Sequence, residues 1–347
     1  MFFASDNTGP VHPSVMEALS AANEGYLPSY GAEDAMDRVT ARLREILGAP
    51  QAEVRLVATG TAANALLLAT LSRPWDTIFC HELAHIEQDE CGAPEFYSDA
   101  KLTLVTGPDA KMDPDALEAA ITASATGGRS VHQVQAGPVS LTNVTERGTL
   151  YTVDEVTTLA GVARAHGLPV HMDGSRFANA VAALGCAPSD LVRDLDALSF
   201  GGTKNGCMGV EAAVIFDPEK AWEFDLRRKR GAHLFSKHRY LTAQMEAYLA
   251  DGLWLDLAGR ANATCARLAE GLASVPDISL MHRHEANMIF FEAPRALHAA
   301  LHAKGARYAT MAPLEGDGAA RIGARLVCDW SAKEEMVDAF VEAARAG

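Results

Sequence analysis

Between residues 54 and 216, short apolar runs alternate with stretches whose apolar residues recur at helical spacing, the rhythm of an α/β chain. Val54–Ala58 predicts a strand, and Gly60-Thr61 opens a helix over Ala62–Leu71. Further strands are expected at Thr77–Cys80, Leu102–Val105, Val131–Gln135, Leu168–Met172, Ala197–Phe200 and Ala212–Phe216, with helices at Asp113–Ala123 and Arg176–Leu184. Residues 236–273 are helical in pattern. The rest reads as an α+β tail: a strand at Ala286–Glu292, a helix at Arg295–Lys304, a strand at Arg321–Cys328 and a helix at Ala332–Arg345. The predicted architecture is a large, mainly parallel-sheet domain over residues 1–245, followed by a small C-terminal α+β domain over 246–347.

Length agrees with two units, since single cores rarely outgrow roughly 250–300 residues and the chain has 347. The net charge of -15 argues against nucleic acid and anionic membrane surfaces as partners. The one basic run, Arg227-Arg228-Lys229-Arg230, suits a small anion better. The first residues show no signal-peptide pattern, and no apolar run reaches the roughly 20 residues of a membrane span. The six cysteines are scattered without a CxxC pair. A soluble, cytoplasmic protein is expected.

Two segments change the picture from fold to chemistry. His171-Met172-Asp173-Gly174-Ser175-Arg176 and Ser199-Phe200-Gly201-Gly202-Thr203-Lys204-Asn205-Gly206 each follow an apolar strand, and the helix 176–184 joins them. Such a strand–helix–strand unit makes a right-handed crossover, so Asp173 and Lys204 emerge at the carboxyl edge of one sheet, where open α/β folds bind ligands. A lysine and a carboxylate delivered together suit pyridoxal 5'-phosphate (PLP): the lysine forms the imine, and the carboxylate keeps the pyridine nitrogen protonated. Thr59-Gly60-Thr61-Ala62-Ala63-Asn64 offers free N–H groups at a helix start for the phosphate. Each piece alone has a plainer reading as a helix N-cap, a helix start or a surface turn. It is their combination and order that point to PLP.

The chain resembles the L-threonine aldolases of the aromatic-amino-acid β-eliminating lyase family, most nearly the low-specificity bacterial type. The resemblance is carried by Phe3-Ala4-Ser5-Asp6-Asn7, Ser29-Tyr30-Gly31, Thr59–Asn64, Ala84-His85 with Asp89–Phe96, His171–Phe177 and Phe200–Gly206, in collinear order. It implies a PLP-dependent transferase fold of type I, aspartate-aminotransferase-like, and retro-aldol cleavage of L-threonine, L-allo-threonine or an aryl analogue such as phenylserine to glycine and an aldehyde. It also implies roles. Lys204 would bind the cofactor as a Schiff base, Asp173 would pair with the pyridine nitrogen, and His85 would stack on the ring. Gly60 and Thr61 would hold the phosphate, and Arg176 would lie beside cofactor and substrate. Ser5, Tyr30 and Arg325 would surround the substrate, with Arg325 gripping its carboxylate. Lys229 and Lys237 fall where the family places basic residues from a neighbouring subunit, so a homodimer or homotetramer is implied. Some relatives carry Asn-Thr-His-Asn where this chain reads Asn143-Val144-Thr145-Glu146; that histidine is missing, and His85 is the remaining candidate base for the β-hydroxyl.

His81-Glu82-Leu83-Ala84-His85 matches the zinc-protease pattern HExxH. That motif needs both histidines on one helix, and here it follows directly on a predicted strand. A metal site would also leave Asp173 and Lys204 unexplained. Two further alternatives are a β-eliminating lyase acting on another amino acid and a PLP-binding protein without catalysis; the joint presence of Lys204, Asp173, His85, Arg176 and Arg325 weighs against the second.

Overall fold

A computed structural model describes residues 1–125 and 130–346. Seven strands form the main sheet: β1 (Glu53–Val57), β2 (Asp76–His81), β3 (Lys101–Val105), β4 (Gln135–Thr142), β5 (Val170–Gly174), β6 (Ala197–Gly201) and β7 (Glu211–Ile215). Their order is β1-β7-β6-β5-β4-β2-β3. The pairs from β3 across to β6 are parallel, and only β7 runs against its two neighbours. β2, β5, β6 and β7 are buried along their whole length, which is why apolar residues such as Ile78-Phe79-Cys80 and Ala212-Ala213-Val214-Ile215 follow one another without alternation.

A smaller antiparallel sheet in the order β10-β11-β9-β8 is built from β8 (Ser279–Leu280), β9 (Met288–Pro294), β10 (Ala309–Thr310) and β11 (Arg321–Val327). Its core packs against the helices Leu253–Ala273 and Glu334–Arg345 and includes Phe3 from the other end of the chain. The backbone of Phe3 donates to Arg307 O at 2.8 Å and accepts from Val327 at 2.9 Å. The first residues therefore cross from the small sheet toward the edge of the large one. Residue 245 lies within the helix Arg239–Leu249.

One expected strand is displaced. Val131–Gln135 is not a strand; Val131 is 96% exposed, and β4 begins only at Gln135. Gly137-Pro138, which resembles a break, lies inside β4 at a register shift opposite Thr77 and Phe79. A bulge is where a sheet accommodates a residue without an N–H. A Cβ at Gly137 would stand 2.8 Å from Thr77 O, so glycine lets the two strands close. The pattern of Met36, Val39, Leu43 and Leu47 marks a further helix, Asp34–Leu47, whose apolar stripe is buried.

Candidate active site

β5 and β6 are adjacent and parallel, with Asp173 in register with Ser199. Both chains leave the sheet at the same edge, so Asp173 and Lys204 come to line one cavity of about 240 Å³ together with Asn7, Thr59, Gly60, Thr61, Asn64, His85, Glu90, Ser175 and Glu211. Close backbone contact makes this edge. A Cβ at Gly201 would lie 2.2 Å from Ser175 O, so only glycine lets the end of β6 press against the turn after β5. A roomier hollow of about 700 Å³, lined by Tyr30, Arg55, Trp222 and His238, holds no lysine.

Asp173 is buried and fully engaged: Oδ1 accepts from the Ser175 N–H at 2.9 Å and Oδ2 from Asn64 Nδ2 at 2.9 Å. Burial works against its charge, but Lys204 and His85 outweigh it and hold the carboxyl below its usual range. Lys204 Nζ donates to Ser175 Oγ at 3.2 Å. Burial, helped by the Arg176 charge, pulls its ammonium pKa down, which favours the nucleophilic amine.

The helix Gly60–Leu71 starts at this cavity. Thr59 caps it through Oγ1, which accepts from the Ala62 N–H at 3.2 Å. The N–H groups of Gly60 and Thr61 belong to the first turn, which has no intrahelical acceptors, so they remain free for an anion. A phosphate cradle, a lysine and a carboxylate around one cavity fit PLP.

Arg176 is committed to Asp6 by two bonds, Nε to Oδ2 at 2.6 Å and Nη2 to Oδ1 at 3.0 Å. Asp6 also accepts from Asn287 Nδ2 at 3.1 Å. Ser5 caps the turn that presents Asp6 and Asn7, its Oγ accepting from the Asn7 N–H. Arg325, on β11, has a buried Nε with no hydrogen-bond partner. Burial and the Arg176 charge lower its pKa against the opposing pull of Asp6 and Asp89.

Within one chain the structure does not bring Tyr30, Lys229 or Lys237 to this cavity, and Ser5, Arg176 and Arg325 do not line it either, although Arg176 acts on Lys204 through its charge. Lys229 Nζ sits 5.1 Å over the Tyr30 ring, and Tyr30 lines the separate hollow with His238. The HExxH pattern is split: His81 ends β2, whereas His85 opens the short helix His85–Gln88. His81 is spent on Gly107 O at 3.1 Å and on the Leu83 N–H at 3.0 Å. His85 does meet Glu90 and Asp173, with ligating atoms within 4.8 Å of one another, but hydrogen bonds through Asn64 already join that trio.

Five residues of the site lay outside the sequence reading of roles: Asp6, Asn64, Glu90, Glu146 and Glu211. Asp6, Asn64 and Glu90 sit inside motifs that carried the resemblance, and Glu146 stands in the stretch that lacks the histidine. Burial lifts the Glu146 carboxyl to about 7, and Glu211 behind Lys204 likewise to about 7. Nothing local in the sequence distinguishes these buried acids from solvated ones.

A lysine and a carboxylate at neighbouring ends of a mainly parallel sheet, with a helix start for phosphate, define the class: a PLP-dependent enzyme of fold type I. The family model described as beta-eliminating lyase matches residues 3–294, and the chain belongs to that family. It is 39% identical over 338 residues to a low specificity L-threonine aldolase of Pseudomonas aeruginosa, covering 96% of this chain and 94% of the relative. The threonine aldolase of Leishmania major superposes with a TM-score of 0.93 at 27% identity over 99% of this chain and 98% of that one. Serine palmitoyltransferase of Sphingomonas wittichii shares the fold, with a TM-score of 0.72 at 16% identity, 100% of this chain and 86% of the other being covered. The resemblance to threonine aldolases and the type I fold expected from the sequence are borne out.

Proposed function

We propose that this chain cleaves L-threonine, L-allo-threonine or related β-hydroxy-α-amino acids, phenylserine among them, to glycine and an aldehyde. The observation that carries the reading is the pairing of Lys204 and Asp173 in one cavity; Arg325, whose buried Nε has no hydrogen-bond partner, supports it as the grip for a substrate carboxylate. When bound, PLP supplies an electron sink for the carbanion left by Cα–Cβ cleavage. Lys204 would anchor the cofactor, Gly60 and Thr61 would hold its phosphate, and His85 would cover its ring. Asp173, held below its usual range, would keep a proton at the pyridine nitrogen. Arg325 grips the substrate carboxylate by a charge-assisted, two-pronged contact. Arg176, fixed by Asp6, and Ser5, on the same N-terminal turn, shape the wall beside it. His85 takes the β-hydroxyl proton, directly or through a water.

Tyr30, Lys229 and Lys237 serve the site of a neighbouring subunit in a homodimer or homotetramer. Support comes from their separation from Lys204 within one chain and from the exposed apolar side chains nearby, Tyr26, Leu27 and Phe235. The large unit spans 1–245 and the small one 246–347, with Phe3 crossing into the small unit's core and the boundary falling inside the helix Arg239–Leu249. No helix among the described residues is long and apolar enough to cross a membrane, and all six cysteines are free, as in a cytoplasmic enzyme.

The decisive experiment incubates the purified protein with PLP and a panel of β-hydroxy amino acids, and measures glycine and aldehyde. Equimolar release of both is expected. Ammonia and a 2-oxo acid instead would favour the β-eliminating chemistry for which the family is named.

A further inference from the structure

The proposed function leaves open what makes His85 a base, and the buried groups behind its ring answer that. Glu90 Oε1 lies 2.8 Å from His85 Nδ1 and also accepts from Asn64 Nδ2 at 2.9 Å. The same Nδ2 donates to Asp173 Oδ2 at 2.9 Å. Asn64 Oδ1 accepts from Ser199 Oγ at 2.8 Å, and two carboxylates on the other side require the amide's donor there, so the orientation of Asn64 is fixed. Glu90 is buried, and its Oε2 has no hydrogen-bond partner. Its carboxylate is therefore satisfied only by His85 and Asn64, and Asn64 is already shared with Asp173.

We infer that Glu90 is the positioning residue that keeps the His85 proton on Nδ1, with Asn64 locking Glu90 in place. An unpaired buried carboxylate is costly, so the ring's N–H is drawn to Glu90. In neutral His85 this leaves Nε2 as the acceptor, and no described group hydrogen-bonds Nε2. The ring lines the cavity shared with Lys204 and Asp173, so Nε2 is the nitrogen available to a substrate hydroxyl. This inference rests on the aldolase reading for its catalytic meaning but not for its geometry.

The charged groups around His85 come from four elements. Glu90 follows its own helix, Asp173 ends β5, Lys204 follows β6, and Glu146 follows β4 and accepts the His85 backbone N–H at 2.7 Å. The hydrogen bond to Glu90 and the charge of Asp173 raise the His85 pKa, while burial and Lys204 lower it, and the net is upward. The acidic limb of kcat/KM should accordingly lie above the usual histidine range.

The test reads the imidazole directly, by nitrogen-15 NMR of histidine-labelled protein with and without PLP, using His85→Gln to assign the ring. The wild-type protein should show the Nδ1–H tautomer above its pKa; an Nε2–H tautomer overturns the proposal without any Glu90 variant. Glu90→Gln keeps an acceptor but removes the charge. His85 should lose about tenfold in proton affinity, and the acidic limb should move down by about one pH unit. Its kcat should fall at least about tenfold with KM little changed. Glu90→Asp should restore part of both. Glu146→Gln should keep the Nδ1–H tautomer. A Glu90→Gln protein that folds and binds PLP with an unmoved His85 pKa refutes the role, even if its activity drops. Because the tautomer is read whether or not the protein turns over, an intact dyad without aldehyde release would sink the aldolase reading and leave this one standing.

Discussion

Arg176 and Arg325 come from the two sheets of the molecule and feel each other's charge, and their situations are opposite. Arg176 follows β5 at the large sheet's edge, with its guanidinium closed against Asp6 by two hydrogen bonds. Burial works against its charge, but Asp6 reverses this and raises its pKa. Arg325 comes from β11 of the small sheet; burial and its neighbour's charge lower its pKa, and its Nε bonds to nothing. Two arginines of similar setting thus have different work. One is a structural brace whose charge is neutralised within the protein. The other is an under-compensated cation, the kind of group an incoming carboxylate satisfies.

The contrast can be broken by substitution, beginning with Lys204, whose ammonium the Arg176 charge disfavours. Lys204→Ala should abolish turnover and the visible absorption band of bound cofactor, since no other lysine among the described residues lines the cavity. Retention of both band and turnover would dismiss the whole site.

Next comes the brace. Arg176→Ala leaves Asp6 buried without its ion partner, and breaking such a pair costs roughly 3–5 kcal/mol of stability. Denaturant or thermal unfolding measures this. The effect is also pH-linked. Burial tends to raise the Asp6 pKa, but Arg176 and Lys204 win and hold it low. Its stabilisation is therefore present above about pH 4, the unfolded value, and lost as pH falls through the lower folded one. The variant should show a shallower acid loss; an unchanged acid limb of the stability curve would remove Asp6–Arg176 from its bracing role.

Asp173→Asn separates cofactor binding from chemistry. Lys204 and the Gly60–Thr61 cradle should still bind PLP, while the charge proposed to hold the pyridine proton is gone. An interaction realised near the transition state, worth roughly 3 kcal/mol, lowers kcat about a hundredfold with KM much less affected. Near-normal kcat in PLP-saturated variant would assign the ring's electronics to another group.

Arg325→Ala should act on the other kinetic constant. Losing a two-pronged guanidinium–carboxylate contact costs roughly 1.5–3 kcal/mol, so KM should rise about ten- to hundredfold while unfolding hardly changes. If instead Arg176→Ala raises KM and Arg325→Ala lowers stability, the contrast is inverted. The smallest effect belongs to chelation. With PLP saturating, excess chelator should leave activity unchanged, because His81 and His85 do not share a helix. Stoichiometric metal whose removal stops turnover would restore the HExxH reading.

The sequence by itself determined where Asp173 and Lys204 would stand. Buried parallel strands are continuous apolar runs, glycines mark the tight edge beyond them, and a single crossover helix leaves little freedom in how two successive strands pair. Gly60 and Thr61 were legible for the same reason, since a strand followed at once by a helix start is a local signal. The start of β4 was not legible. Gly137-Pro138 reads as a break unless the bulge against β2 is known, and that bulge depends on a strand far earlier in the chain.

Only the tertiary structure decided which charges meet. Asp6 reaches Arg176 across 170 positions, and Asn64 reaches Asp173 across 109. Glu90, Glu146 and Glu211 gain their meaning from burial beside the cavity, and Arg325 from having no partner there. A carboxylate or guanidinium has the same letter in solvent as in a cavity. What it does is set by desolvation and by the charges within a few ångströms, and those neighbours are chosen by the packing of distant segments rather than by spacing along the chain.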